Sequence, residues 1–182
     1  MSRNYKFFDN TELYFVTYTV VSWVDVFTRD EYRNVLLNSW NYCIKNKGLK
    51  IYSWCIMTNH VHMIILSDKN DLSNIMRDMK SFTSTTIKKM IIDNPRESRK
   101  KWMLKIMKDA GLKNKNNNEF QLWQQHNHPI ILDSNFMLEQ KLDYIHNNPV
   151  KAGFVDESES YLYSSARDYA GIKGLVDIEF IE

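Results

Sequence analysis

The chain has 182 residues, 43% hydrophobic, 25% charged and 13% aromatic, with 24 Lys/Arg against 22 Asp/Glu. This is the composition of one globular domain, and a net charge of +2 excludes a histone-like polycation and an acidic disordered tail. The two cysteines, Cys43 and Cys55, make neither a disulfide framework nor a four-thiolate metal site. They read as buried apolar residues in a reducing compartment. The N-terminus lacks the apolar core of a secretory signal, and no apolar run reaches the ~18 residues of a membrane helix. The expectation is a single cytoplasmic domain over 1–182, with a basic insert at about 93–118 and a tail at about 154–182.

In chain order, Leu13 to Val21 is dense in aromatic and β-branched residues and predicts a strand. Thr28 with Glu31 fits a capping box, and Val35, Leu36, Trp40 and Cys43 continue at helical spacing until Gly48. Ile51 to Met57 and His60 to Leu66 predict an antiparallel hairpin closed at Thr58-Asn59. A second helix runs from Asp71 to about Ile91. Asn94-Pro95 then breaks the pattern, and Lys113 to Asn118 predicts a loop. A fourth strand is expected over Phe120 to Gln125, restarting at Pro129 to Leu132. Ser134 caps a third helix to about Asn147, stopped by Pro149, and a short tail helix is expected around Ser164 to Ala170. The order β-α-β-β-α-(insert)-β-α matches an α+β, ferredoxin-like split βαβ fold, an antiparallel sheet with helices packed on one face.

The chemistry-bearing residues are few. Five histidines occur, four of them as His-x-His pairs. His60 and His62 share one strand face, and two imidazoles on a rigid strand are half of a metal site; the plainer reading is two surface histidines. Tyr144 and Asn148 share one helix face. Asn148 offers an amide oxygen to a hard cation, or is simply a residue at a helix end before Pro149. Two histidines and an amide oxygen leave open positions, where a divalent cation polarises a phosphoryl oxygen.

At these residues the chain resembles a known family. Trp54 to Ile65 (WCIMTNHVHMII) is similar to the "MPNHVHLLI" strand of HUH single-tyrosine transposases, with Thr58 where Pro is usual. Leu122 to Gln125 (LWQQ) and Tyr144 to Gly153 (YIHNNPVKAG) resemble the REP-associated tyrosine transposase branch, and Tyr163 to Gly171 resembles its tail. The likeness runs from about Tyr14 to Gly171. It implies that His60 and His62 bind Mg²⁺ or Mn²⁺ and that Tyr144 is the nucleophile. Asn148 matches the third metal ligand, where insertion-sequence relatives carry the longer Gln. The implied reaction nicks and rejoins single-stranded, hairpin-forming DNA through a 5′-phosphotyrosine bond. The alternatives are a non-catalytic hairpin-binding protein and a metal-dependent phosphoesterase. Relatives include swapped dimers and monomers, so a homodimer with a site built in trans stays open.

The net charge hides an uneven distribution. Between Arg77 and Lys115 stand twelve Lys/Arg and four Asp/Glu, a local +8 that leaves −6 elsewhere. The plain reading is a solvated helix face. The functional one is phosphate contact by Lys80, Lys88, Lys89, Arg96, Arg99, Lys100, Lys101 and Lys105. Trp123 either stacks on a base or fills the core. His126 and His128 either touch DNA, support the metal ligands or are structural. Tyr163 and Tyr169 are rival nucleophiles in an otherwise structural tail.

Overall fold

A computed structural model describes residues 12–69, 71–114, 119–125 and 129–181. Four strands, β1 (Tyr14–Thr19), β2 (Leu49–Ile56), β3 (His60–Ser67) and β4 (Ile130–Ile131), form an antiparallel sheet in the order β2-β3-β1-β4. The expected hairpin is present, closed where Met57 N–H donates to the His60 carbonyl at 2.9 Å. Strict alternation in β1 and β3 separates two cores. Tyr14, Val16, Tyr18, Val61, Met63 and Ile65 belong to one, while Phe15 and Ile64 belong to the other. In β2 a bulge at Tyr52 shifts the register between Ile51 and Ser53. That extra residue keeps both Ile51 and Trp54 in the first core and turns Ser53 and Cys55 to the opposite face.

Helices α1 (Asp30–Lys47), α2 (Leu72–Asp93) and α3 (Lys100–Leu112) supply the first core, and α1 and α2 are the two helices expected in that layer. To this layer the structure adds a helix on the other face. Helix α4 (Asn135–Lys151) crosses β2 and β3 and packs Ile145 against Phe15, Cys55 and Ile64. The tail covers the free edge of β2: Ile56 N–H donates to the Tyr163 carbonyl, and Ser165 N–H to the Trp54 carbonyl, both at 2.9 Å. The short helix α5 (Ala166–Tyr169) follows.

Several elements differ from expectation. Helix α3 lies inside the segment read as an irregular insert. Met103 and Met107, one turn apart, anchor it, and a Cβ on Gly111 would fall on the Phe120 backbone. Thr28 does not cap α1, which begins after Arg29 with no side-chain cap. Residues 120–125 contribute an isolated bridge, Val20 with Trp123, rather than a strand. Their backbone is taken up elsewhere: Gln121 N–H donates to the Met107 carbonyl and Gln124 N–H to that of Thr19. Pro149 lies inside α4, which ends two residues later than it, at Lys151. The helix then closes through Gly153 (φ 73), where Phe154 N–H reaches the Pro149 carbonyl and Gly153 N–H that of Val150. Ser134 caps α4 by accepting from Met137 N–H, and Gly48 (φ 72) ends α1, both as expected.

Among the described residues, no helix is long and apolar enough to cross a membrane.

Candidate active site

The register that pairs Thr17 with His62 and Thr19 with His60 puts both histidines on the sheet face covered by α4. Their rings meet edge to face, 4.7 Å apart. Tyr144 arrives from α4, and its ring lies 5.0 Å from that of His62. Its hydroxyl is 3.5 Å from His62 Nε2, across 82 residues of the same chain. Ile145, buried next to Tyr144, anchors the helix on Phe15 and Ile64, so Tyr144 projects from the rim and stays 40% exposed. One turn on, Asn148 lies on the same side of α4 as Tyr144 and is half-buried.

Each imidazole is held from behind. His60 Nδ1 lies 2.7 Å from Asn59 Oδ1. The Asn59 amide nitrogen donates to the Trp23 carbonyl at 3.3 Å and to Asp25 Oδ1 at 2.9 Å. Asn59 Oδ1 is therefore the acceptor, His60 carries its proton on Nδ1, and Nε2 keeps a free lone pair. His62 Nδ1 makes a 2.7 Å hydrogen bond with Thr17 Oγ1, which leaves its Nε2 toward Tyr144. Phe15 stacks on His62 at 5.7 Å.

Burial disfavours the charged form of both rings. Burial lowers the His60 pKa against the raising pull of Asp25. His62, only 4% exposed, is lowered to about 3 by burial and then by His60 and Lys141. Neutral imidazoles with free Nε2 lone pairs are the form that binds a cation. A cation held by these rings and the Asn148 amide oxygen would meet a mixed nitrogen and oxygen donor set, the kind that suits Mn²⁺ better than Mg²⁺. Lys141 places Nζ 4.9 Å from the Phe15 ring centre and 5.7 Å from that of Tyr144, setting a positive charge beside the phenol.

Thr17, Asn59 and Lys141 are absent from the residues singled out in the sequence. Lys141 had a signal, three residues before Tyr144 on one helix face. Thr17 and Asn59 had none, because their partners are set by strand register and turn geometry.

The basic residues divide. Lys89, Arg96, Lys101 and Lys105 are exposed, though Lys105 also pairs with Asp109. Lys88 sits over the Phe120 ring and Lys100 donates to the Ile92 carbonyl. Lys80 is largely enclosed, donates to the Gln124 carbonyl, and burial lowers its pKa to about 8. Arg99 is engaged internally: it grips the buried Glu97 carboxylate and donates to the Asp25 carbonyl at 2.6 Å. All belong to α2, α3 and their connection, on the opposite side of the sheet from the histidines.

Trp123 is corrected to a core residue. It is 5% exposed, stacks on Phe27, meets Tyr18 edge-on and donates its indole N–H to Thr83, so neither ring face is open to a base. His126 and His128 lie outside the described residues. Tyr163 is buried beneath Arg33, and the Tyr169 hydroxyl donates to the Tyr52 carbonyl. Both rivals are thus committed to packing.

A family model described as "Transposase IS200 like" matches residues 14–106. A Haemophilus influenzae protein described as a candidate REP-associated tyrosine transposase is 24% identical over 168 residues, covering 91% of this chain and 85% of that one. The solved structure of a REP-associated tyrosine transposase bound to a REP hairpin has the same fold. It aligns with a TM-score of 0.63 at 18% identity, over 100% of this chain and 94% of its own.

Proposed function

The chain belongs to the IS200-like transposase family, and from that premise we propose that it nicks and rejoins hairpin-forming single-stranded DNA with Tyr144 as nucleophile. The observation that carries this reading is the 3.5 Å approach of the Tyr144 hydroxyl to His62 Nε2 within one chain. The hairpin is assigned as substrate after the one bound by the structural relative.

Tyr144 Oη attacks the scissile phosphorus. The P–Oη bond forms as the P–O3′ bond breaks, leaving a 5′-phosphotyrosine and a free 3′-hydroxyl. The phenol proton leaves to water at the exposed rim, and the departing 3′-oxygen takes one up. A second 3′-hydroxyl then reverses the step on another strand, so the bond energy is kept and no nucleotide triphosphate is needed. Lys141, with Nζ 5.7 Å from the Tyr144 ring centre, attracts the incoming phosphate. Asn59 and Thr17 hold the rings of His60 and His62 through Nδ1, which would leave their Nε2 atoms to a cation. A divalent cation held by His60, His62 and Asn148 would supply Lewis-acid stabilisation of the charge growing on the phosphate.

Incubation with Mn²⁺ and a labelled hairpin oligonucleotide tests this. A covalent protein–DNA adduct that Tyr144→Phe abolishes is expected. Metal-dependent cleavage that survives Tyr144→Phe would point to a phosphoesterase, and binding with no adduct to a non-catalytic hairpin-binding protein.

A further inference from the structure

Trp23 is an exposed aromatic residue at the edge of the candidate site. It is 59% exposed, yet its ring meets that of His60 edge to face at 5.7 Å. It also sits in a costly backbone: Ser22 (φ 54) and Trp23 (φ 56) are two successive non-glycine residues in the left-handed region. A bulky side chain in that conformation persists only where its surroundings impose it. Here they do so from two sides. Asn59, whose Oδ1 accepts from His60, holds the Trp23 carbonyl and Asp25 with its amide nitrogen. Arg99, braced by Glu97, holds the Asp25 carbonyl from the α2–α3 connection. The strain is not explained by core packing, since it turns the indole outward.

The surroundings of the turn suit a nucleic-acid strand. Beginning at Ser22, an open groove of about 650 Å³ runs along Lys113, Asn114, Gln124 and Gln125. Asn114 donates to Gln121 Oε1 and Gln124 to the Val20 carbonyl, so the Ser22 hydroxyl, the Gln125 amide and the Lys113 ammonium are the groups that offer hydrogen bonds to base edges and a charge to a phosphate. Trp23 thus adjoins this groove through its backbone and the histidine pair through its ring.

We infer that Trp23 is a stacking platform for the base of the nucleotide next to the phosphate cleaved at Tyr144. This rests on the reading above that the chain acts on single-stranded DNA. A strand leaving the site along the groove lays that base on the exposed indole face. Stacking tolerates any base, so Trp23 fixes the position of the strand and leaves its sequence to other contacts.

The probe is a fluorescein-labelled hairpin oligonucleotide with a single-stranded 5′ extension, in a series where one extension nucleotide at a time is abasic. Affinity is measured by anisotropy with Mn²⁺ in the Tyr144→Phe protein, which cannot cleave. Adding Trp23→Gly should weaken binding about tenfold, while Trp23→Phe keeps most of it. One abasic position should cost the Trp23 protein about tenfold and the glycine variant nothing. Thermal unfolding should show the glycine variant folded with a raised midpoint, because glycine accepts the left-handed backbone. Unchanged affinity of the glycine variant, or abasic penalties equal in both proteins, would overturn the inference. So would a change in self-association with DNA affinity intact, which would assign the indole to a protein contact. Failure of the parent protein to bind any probe would instead overturn the DNA reading itself, and this inference with it.

Discussion

On the sheet face covered by α1, α2 and α3, the strands present Tyr14, Val16, Tyr18, Val61, Met63 and Ile65; on the face crossed by α4, the alternate residues present Phe15, Thr17, His60, His62 and Ile64. One tyrosine from each side shows what separates them. Tyr18 is enclosed, accepts from Trp40 Nε1 at 3.0 Å and donates to Met63 Sδ, and burial pushes its pKa far up. Tyr144 sits on a helix rim, open to solvent, beside an imidazole nitrogen and a lysine. A phenol can act on a substrate only where the substrate can reach it. The first face closes that route and the second leaves it open. The same period-2 alternation that builds a dry core on one side therefore exposes chemistry on the other.

The contrast can be broken from either side. The largest effect should come from Tyr144→Phe, which is expected to lower adduct formation at least about a thousandfold while the melting temperature stays near that of the parent, since the lost hydroxyl is at an open rim. On the other face Ile65→Ala should do the reverse. It is expected to cost about 2–5 kcal/mol in urea unfolding, with the adduct yield per folded molecule unchanged. Acid should also act on the first side. Glu97 has a fully enclosed side chain, and its pKa is lowered to about 2, first by the hydrogen bond from Arg99, against the raising effect of burial. Its ordinary value is 4.5, so the stabilisation is complete above that pH and is lost as pH falls from there toward 2. By pH 3 it should have lost about 2 kcal/mol, and Glu97→Gln should flatten the unfolding profile over that window. The smallest effect sharpens the second face alone: Thr17→Val removes the hydrogen bond behind His62 and should weaken Mn²⁺ binding about 10–100-fold in calorimetric titration, without loss of the fold.

Much of this division was legible in the sequence because alternation and helical spacing are local. The pattern of Leu13 to Val21 and His60 to Leu66 placed His60 and His62 together on one face, and Gly48 and Ser134 marked helix ends where the structure has them. What escaped is non-local. Helix α3 buries Met103, Met107 and Gly111, but four lysines interrupt its sequence just after the Asn94-Pro95 break, so the sequence groups it with the basic insert. Trp123 and the backbone of 120–125 are drawn to α2, α3 and the end of β1, which no local pattern states. Pro149 is carried within α4 because the helix is pinned from outside. Buried Ile145 packs on the sheet, and His146 bonds Ser53 and Ser165 at 3.2 and 2.9 Å. Arg99 counted as a free cation in the sequence, but the fold spends it on Glu97 and Asp25. The left-handed backbone at Trp23 has no sequence signal, since no glycine marks it.

The central claim is that Tyr144, and no other of the ten tyrosines, forms the bond to DNA. Mass spectrometry of the peptides left after digesting the protein–DNA adduct tests it most directly. A nucleotide mass attached to the peptide bearing Tyr144, and to it alone, is the predicted result. The same mass on Tyr163, Tyr169 or any other tyrosine would contradict the account.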